Sequence, residues 1–139
     1  MAMSDAEKQA LKETMAERAK ARKKMTPEQL EQEVVDKIAA MAPADRALGE
    51  KVHALVKKVA PGLQAKTWYG MQAYFLDGKI VCFFQDGGKF KSRYATLGFQ
   101  QDASLDDGDM WPTSFAIISW TAAVEKMVSE IVLRAIERN

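Results

Sequence analysis

Asp102, Asp106, Asp107 and Asp109 stand close together in one short stretch. Carboxylate oxygens are what hard cations such as Fe²⁺, Mg²⁺ or Ca²⁺ take as ligands, so this run could supply a weak, open metal site. Its D-x-x-x-D-D-G-D spacing differs from an EF-hand loop, which needs ligands at alternate positions and a closing bidentate glutamate. The same aspartates serve as solvated turn residues before Trp111-Pro112, and both readings stay open.

Aromatic residues make a second group. Trp68, Tyr69, Met71, Tyr74, Phe84, Trp111 and Trp120 could line a concave apolar site in which the tryptophan and tyrosine tips orient an organic ligand. Trp68, Tyr69, Met71, Tyr74 and Trp111 are the candidate ligand-binding residues. Strand aromatics also pack cores, so this reading too has a structural alternative. Lys89, Lys91 and Arg93 alternate, and side chains at alternate strand positions share a face that could meet an anion or simply keep the sheet soluble. Together with the basic run Arg18 to Lys24 they would make two patches. Nucleic-acid binding further requires exposed aromatics or a groove-reading helix, and neither is indicated.

Conventional catalytic groups are sparse. His53 has Glu50 and Lys57 one helical turn to either side, which predicts a solvent-facing position. Cys82, the single cysteine, lies in an apolar strand where its thiolate is disfavoured. Zinc would need several His or Cys ligands, so a structural zinc site is set aside. No phosphate-binding glycine loop or nucleophile elbow occurs, and no catalytic residue is assigned.

These residues must be positioned by an ordinary globular chain. At 139 residues, 47% of them hydrophobic and with net charge +1, it can bury a core without disulfide or metal, and its overall charge gives no long-range preference for nucleic acid or membrane. The lone cysteine and the charged start, without a secretory apolar run, lead us to expect a cytoplasmic protein. Ser4-Asp5-Ala6-Glu7 predicts a capped helix from Asp5 to about Lys24, with a thin apolar stripe of Leu11 and Met15. We therefore read 1–25 as a charged N-terminal helical arm and 26–139 as one domain. Thr26-Pro27-Glu28-Gln29 predicts a second helix start, and Pro43 opens a third that Pro61-Gly62 ends.

Strands are predicted at 64–69, 71–76, 79–85 and 89–97, with a bend or bulge at Gly70 and a tight Asp77-Gly78 hairpin. Ile80 to Phe84, apolar on both faces, should lie inside the sheet. Ser114 to Trp120 reads as a last strand, and Thr121 caps a closing helix. The fold class is α+β, an antiparallel meander with helices packed on it in two layers.

Tyr69-Gly70-Met71, Ala73-Tyr74, the hairpin Asp77 to Phe84 and Tyr94-Ala95-Thr96-Leu97-Gly98-Phe99 together resemble the YdhG-like family of bacterial domains, one branch of which is described as a frataxin-like iron chaperone. The resemblance extends roughly from Glu33 to Ile136. Where the family pattern has proline after Tyr-Gly-Met, this chain has Gln72, which restores a backbone donor. The resemblance implies a compact two-layer domain and raises the iron reading of the four aspartates, with an iron-acceptor protein as partner. The alternative is a module that binds a small ligand or a protein partner through the aromatic Trp68–Tyr74 face, without metal. In either case the N-terminal helix could dock on a second copy to make a homodimer.

Overall fold

The structure, a computed structural model, describes residues 4–21, 25–88 and 91–138. Its elements run α1 (Asp5–Ala21), α2 (Pro27–Ala39), α3 (Pro43–Val59), β1 (Gln64–Trp68), β2 (Met71–Leu76), β3 (Lys79–Gln85), β4 (Ala95–Phe99), β5 (Ser114–Ile117) and α4 (Ala122–Ala135). The strands form one antiparallel sheet in the order β1-β2-β3-β4-β5. This is the α+β meander expected from the sequence, with β3 at its centre.

Local chemistry accounts for the helix boundaries. Ser4 Oγ accepts from the Glu7 N–H at 3.1 Å. Thr26 Oγ1 accepts from the Gln29 N–H while Gln29 Oε1 accepts from the Thr26 N–H, a reciprocal capping box. Pro43 occupies the first turn of α3, where its missing N–H costs nothing. Thr121 caps α4 through the Val124 N–H.

Strand alternation divides the sheet into two faces. Ala65, Thr67, Gln72, Tyr74, Cys82, Phe84, Leu97 and Phe99 are all buried, and most of them pack with Val34, Ile38, Val52, Val56, Val128 and Val132 of the helices. The opposite face carries the half-buried Trp68, Phe75 and Phe83. Phe83 lies over Gly98, where a Cβ would come within 2.3 Å of its ring. The register slips between Tyr74 and Phe75, leaving Val81 as an extra residue opposite them.

Three expectations need correction. The chain does not bend within one strand at Gly70 but reverses there, since β1 and β2 are antiparallel partners with Trp68 opposite Met71. The strand expected over 89–97 begins only at Ala95. Before it, the Ser92 N–H bonds back to the Gly87 carbonyl at 2.8 Å, and Lys91 has a positive φ of 54°, which no regular strand accommodates. The last strand stops at Ile117 rather than Trp120.

Asp45, in the first turn of α3, anchors the turn after β3. Its two carboxylate oxygens accept from the Gly87 and Gly88 N–H groups at 3.2 and 2.9 Å. Attachment of α1 is of a different kind. Glu13 pairs with Lys37 of α2 at 2.9 Å, and Thr14 is buried. The apolar residues Leu11 and Met15 face outward, 51% and 63% exposed.

Candidate functional site

The turn between β1 and β2 consists of Tyr69 and Gly70 alone, because Trp68 pairs directly with Met71. Both turn residues have positive φ, 49° and 75°, as a type I′ hairpin requires. Glycine adopts this conformation freely, but a tyrosine is strained in it. Such a turn aims successive N–H groups at one point, a concavity suited to anions. Glu17 of α1 fills it: its Oε2 accepts from the Tyr69 N–H at 3.2 Å and its Oε1 from the Gly70 N–H at 3.0 Å.

Beside this contact lies a cleft of about 250 Å³ whose lining includes Arg18, Lys66, Trp68, Tyr69 and Phe75. Trp68 meets Tyr69 edge-on at 4.8 Å and Phe83 at 5.3 Å, while the Lys66 ammonium sits 5.4 Å above the Phe75 ring. Tyr69 remains 43% exposed. The site therefore combines paired backbone donors, two cationic side chains and a flat apolar wall. Tyr69→Asn is expected to raise stability by about 0.5–1 kcal/mol, since asparagine tolerates positive φ far better. Urea unfolding would read the gain, and the same change strips the cleft of its phenol wall.

A buried polar chain runs beneath the other face. Gln72 Nε2 donates to the Gly49 carbonyl at 3.2 Å and to the Tyr74 hydroxyl at 3.0 Å. The same hydroxyl lies 2.8 Å from His53 Nδ1, and His53 Nε2 lies 3.1 Å from Glu31. Lys57 completes the series on Glu31 at 2.8 Å. A His53 tautomer protonated at Nε2 satisfies all these contacts at once. Gln72 Oε1 is buried and finds no hydrogen-bond partner among the described residues. His53 is thus half-buried and engaged on both ring nitrogens, not solvent-facing as its helical neighbours suggested.

Protonation follows from these surroundings. The Lys57 hydrogen bond draws the Glu31 carboxyl below the ordinary carboxylate range, against its partial burial. Burial pushes the Tyr74 hydroxyl well above the phenol range and the Cys82 thiol up to about 12. Both buried acids bind their protons more tightly folded than unfolded, so stability is untouched below the ordinary thiol range. It falls as pH rises past about 8.5 for Cys82 and about 10 for Tyr74. Urea midpoints should therefore drop between pH 8 and 10.5, and Cys82→Ala should remove the earlier part of the drop. Glu31 works in the opposite direction, its contribution fading as pH falls below about 4.3.

The structure gathers Trp68, Tyr69 and Met71 at the end of the first hairpin but separates them from the other candidates. Tyr74 and Phe84 point to the helix-covered face as fully buried core residues. Trp111 and Trp120 pack on the core from the connections on either side of β5, and Trp120 Nε1 donates to Glu125 at 3.1 Å. Asp102 is half-buried and its carbonyl accepts from Arg138 at 3.1 Å, whereas Asp106, Asp107 and Asp109 are exposed. Among the described residues, no three His, Cys, Asp or Glu side chains gather in a way that could hold a metal ion. Lys89 lies outside the described residues, as does 22–24 of the basic run, and Arg93 stacks on Tyr94 at 5.3 Å.

Comparison with protein-family models, curated proteins and solved structures gives no match for this chain. No described helix is long and apolar enough to cross a membrane. Sequence reasoning missed Glu17, Gln72 and Glu31 as site or network residues. Glu17 meets its partners 52 and 53 positions along the chain, a separation at which helical spacing carries no signal.

Proposed function

We propose that this protein is a small binding module, not an enzyme, and that its ligand is a small organic molecule seated against the β1–β2 hairpin in the cleft walled by Trp68, Tyr69 and Phe75. The observation that carries this reading is the convergence of the Trp68, Tyr69 and Phe75 rings with the Lys66 and Arg18 cations at one cleft, beside the turn whose Tyr69 and Gly70 N–H groups hold Glu17. Pockets for small ligands combine an apolar lining with a few such oriented polar groups. Of the two readings open from the sequence, this one draws more support from geometry. The iron reading draws no such support, since among the described residues no three carboxylates of Asp102, Asp106, Asp107 and Asp109 gather in a metal-holding group. Assignment to the YdhG-like family is part of the proposal and rests on the sequence motif alone.

The test is tryptophan fluorescence on wild type and Trp68→Phe, titrated with small aromatic acids and amides and, anaerobically, with Fe²⁺. A saturable response to an organic compound that Trp68→Phe loses is the expected result. Iron binding that disappears when the four aspartates become asparagines would overturn it in favour of the metal-carrier reading.

A further inference from the structure

Glu17 is held in a way that differs from an ordinary structural tie. Its carboxylate sits on paired N–H groups that are presented only because Tyr69 adopts a left-handed conformation, φ 49°. For a bulky residue that conformation is unfavourable, and persistent local strain of this type concentrates at ligand-holding sites. Its helix is also attached inside out. Its ties to the body include Glu13 to Lys37, Glu17 to the turn and the buried Thr14, while its large apolar residues Leu11 and Met15 face away. Partly exposed ion pairs contribute at most about 1 kcal/mol each. With Leu11 and Met15 facing outward, little large apolar surface of α1 is buried against the body, so polar ties carry most of its docking.

The geometry points to a carboxylate-binding site at the Tyr69 and Gly70 N–H groups, which Glu17 fills in cis and which an organic acid enters by replacing it. This inference rests on the cleft reading above and adds the chemical group by which the ligand is held. The two donors reach different oxygens of one planar carboxylate, at 3.2 and 3.0 Å, a two-pronged geometry that gives charge-assisted bonds both strength and direction. Arg18 and Lys66 line the adjoining cleft and favour a negative ligand. Trp68 and Phe75 offer the surface for its apolar body.

Glu17 belongs to the same chain, so it competes as a tethered group and not as a free ligand. The resting protein therefore understates the intrinsic affinity of the site, because only the fraction with Glu17 displaced is competent to bind.

Full-length ¹⁵N-labelled wild type, Glu17→Ala and Glu17→Gln, titrated with phenylacetate, with neutral phenylacetamide and with inorganic phosphate, test this directly through the Tyr69 and Gly70 amide signals. Phenylacetate should move both signals in Glu17→Ala at concentrations about tenfold below those needed for wild type, with Glu17→Gln between. Phenylacetamide should leave them in place. Trypsin should cut after Arg18 faster in Glu17→Ala, and faster in wild type once phenylacetate is added. Equal phenylacetate affinity in wild type and Glu17→Ala overturns the cis competition. Phosphate acting as well as phenylacetate overturns the carboxylate assignment. If phenylacetate leaves both amides unmoved in Glu17→Ala, the N–H site is wrong. In that event a Trp68-dependent fluorescence response to phenylacetamide keeps the cleft reading, and no response to any compound removes that too.

Discussion

Tyr74→Ala is expected to destabilise the protein by about 3–5 kcal/mol, a large part of the total for a domain of this size. Tyr74 is completely buried, so truncation opens a cavity that the surrounding strands and α3 cannot fill by small adjustments. It also removes the hydroxyl that joins Gln72 Nε2 to His53 Nδ1. Tyr74→Phe separates the two causes. The ring stays, the cavity does not form, and the remaining loss of about 1–3 kcal/mol reflects a buried donor and acceptor left with fewer partners. Urea unfolding of both variants checks this. A double-mutant cycle with His53→Ala should show coupling, because the two side chains share one hydrogen bond. Equal stability of Tyr74→Phe and wild type would mean that the buried chain contributes nothing net.

Phe84→Ala is the second large expected loss, again about 3–5 kcal/mol. Phe84 lies on β3, the central strand, between Gln72 of β2 and Leu97 of β4 in the cross-strand register, and none of it is exposed. Phe83, its sequence neighbour, points to the other face, where it is half-buried over Gly98. Phe83→Ala should cost clearly less, since part of the ring already meets water. Thermal unfolding of the pair would measure the difference between the two faces of the sheet. Equal losses would mean that the outer face is covered in solution.

What the sequence disclosed was what neighbouring residues decide among themselves. Capping at Ser4, Thr26 and Thr121 involves residues three positions apart, and Asp77-Gly78 closes its hairpin with φ of 51° and 81°. Tyr69-Gly70 makes the same kind of turn yet read as a bend, because tyrosine is not a residue that favours positive φ. His53 was misplaced for a different reason. Its charged neighbours on α3 suggested solvent, while the partners that define it, Glu31 and Tyr74, come from α2 and β2. The aromatic candidates do not share one face: the alternation rule assigns Trp68 and Tyr74 to opposite faces once the chain is known to reverse at Tyr69-Gly70. For the four aspartates, closeness along a loop is not convergence in space: among the described residues no three of their carboxylates gather in a metal-holding group.

The strand order follows the chain order without a crossover. Each strand therefore finds its neighbour as soon as the next segment of chain arrives, and no distant edge has to be located before a ladder can grow. Loop-closure entropy is small for such steps. Among sheet proteins of similar length this one should refold quickly, as expected where contacts are close in sequence. The docking of α4 onto α3 joins elements separated in sequence by the whole sheet, and it is the step where a kinetic delay would show.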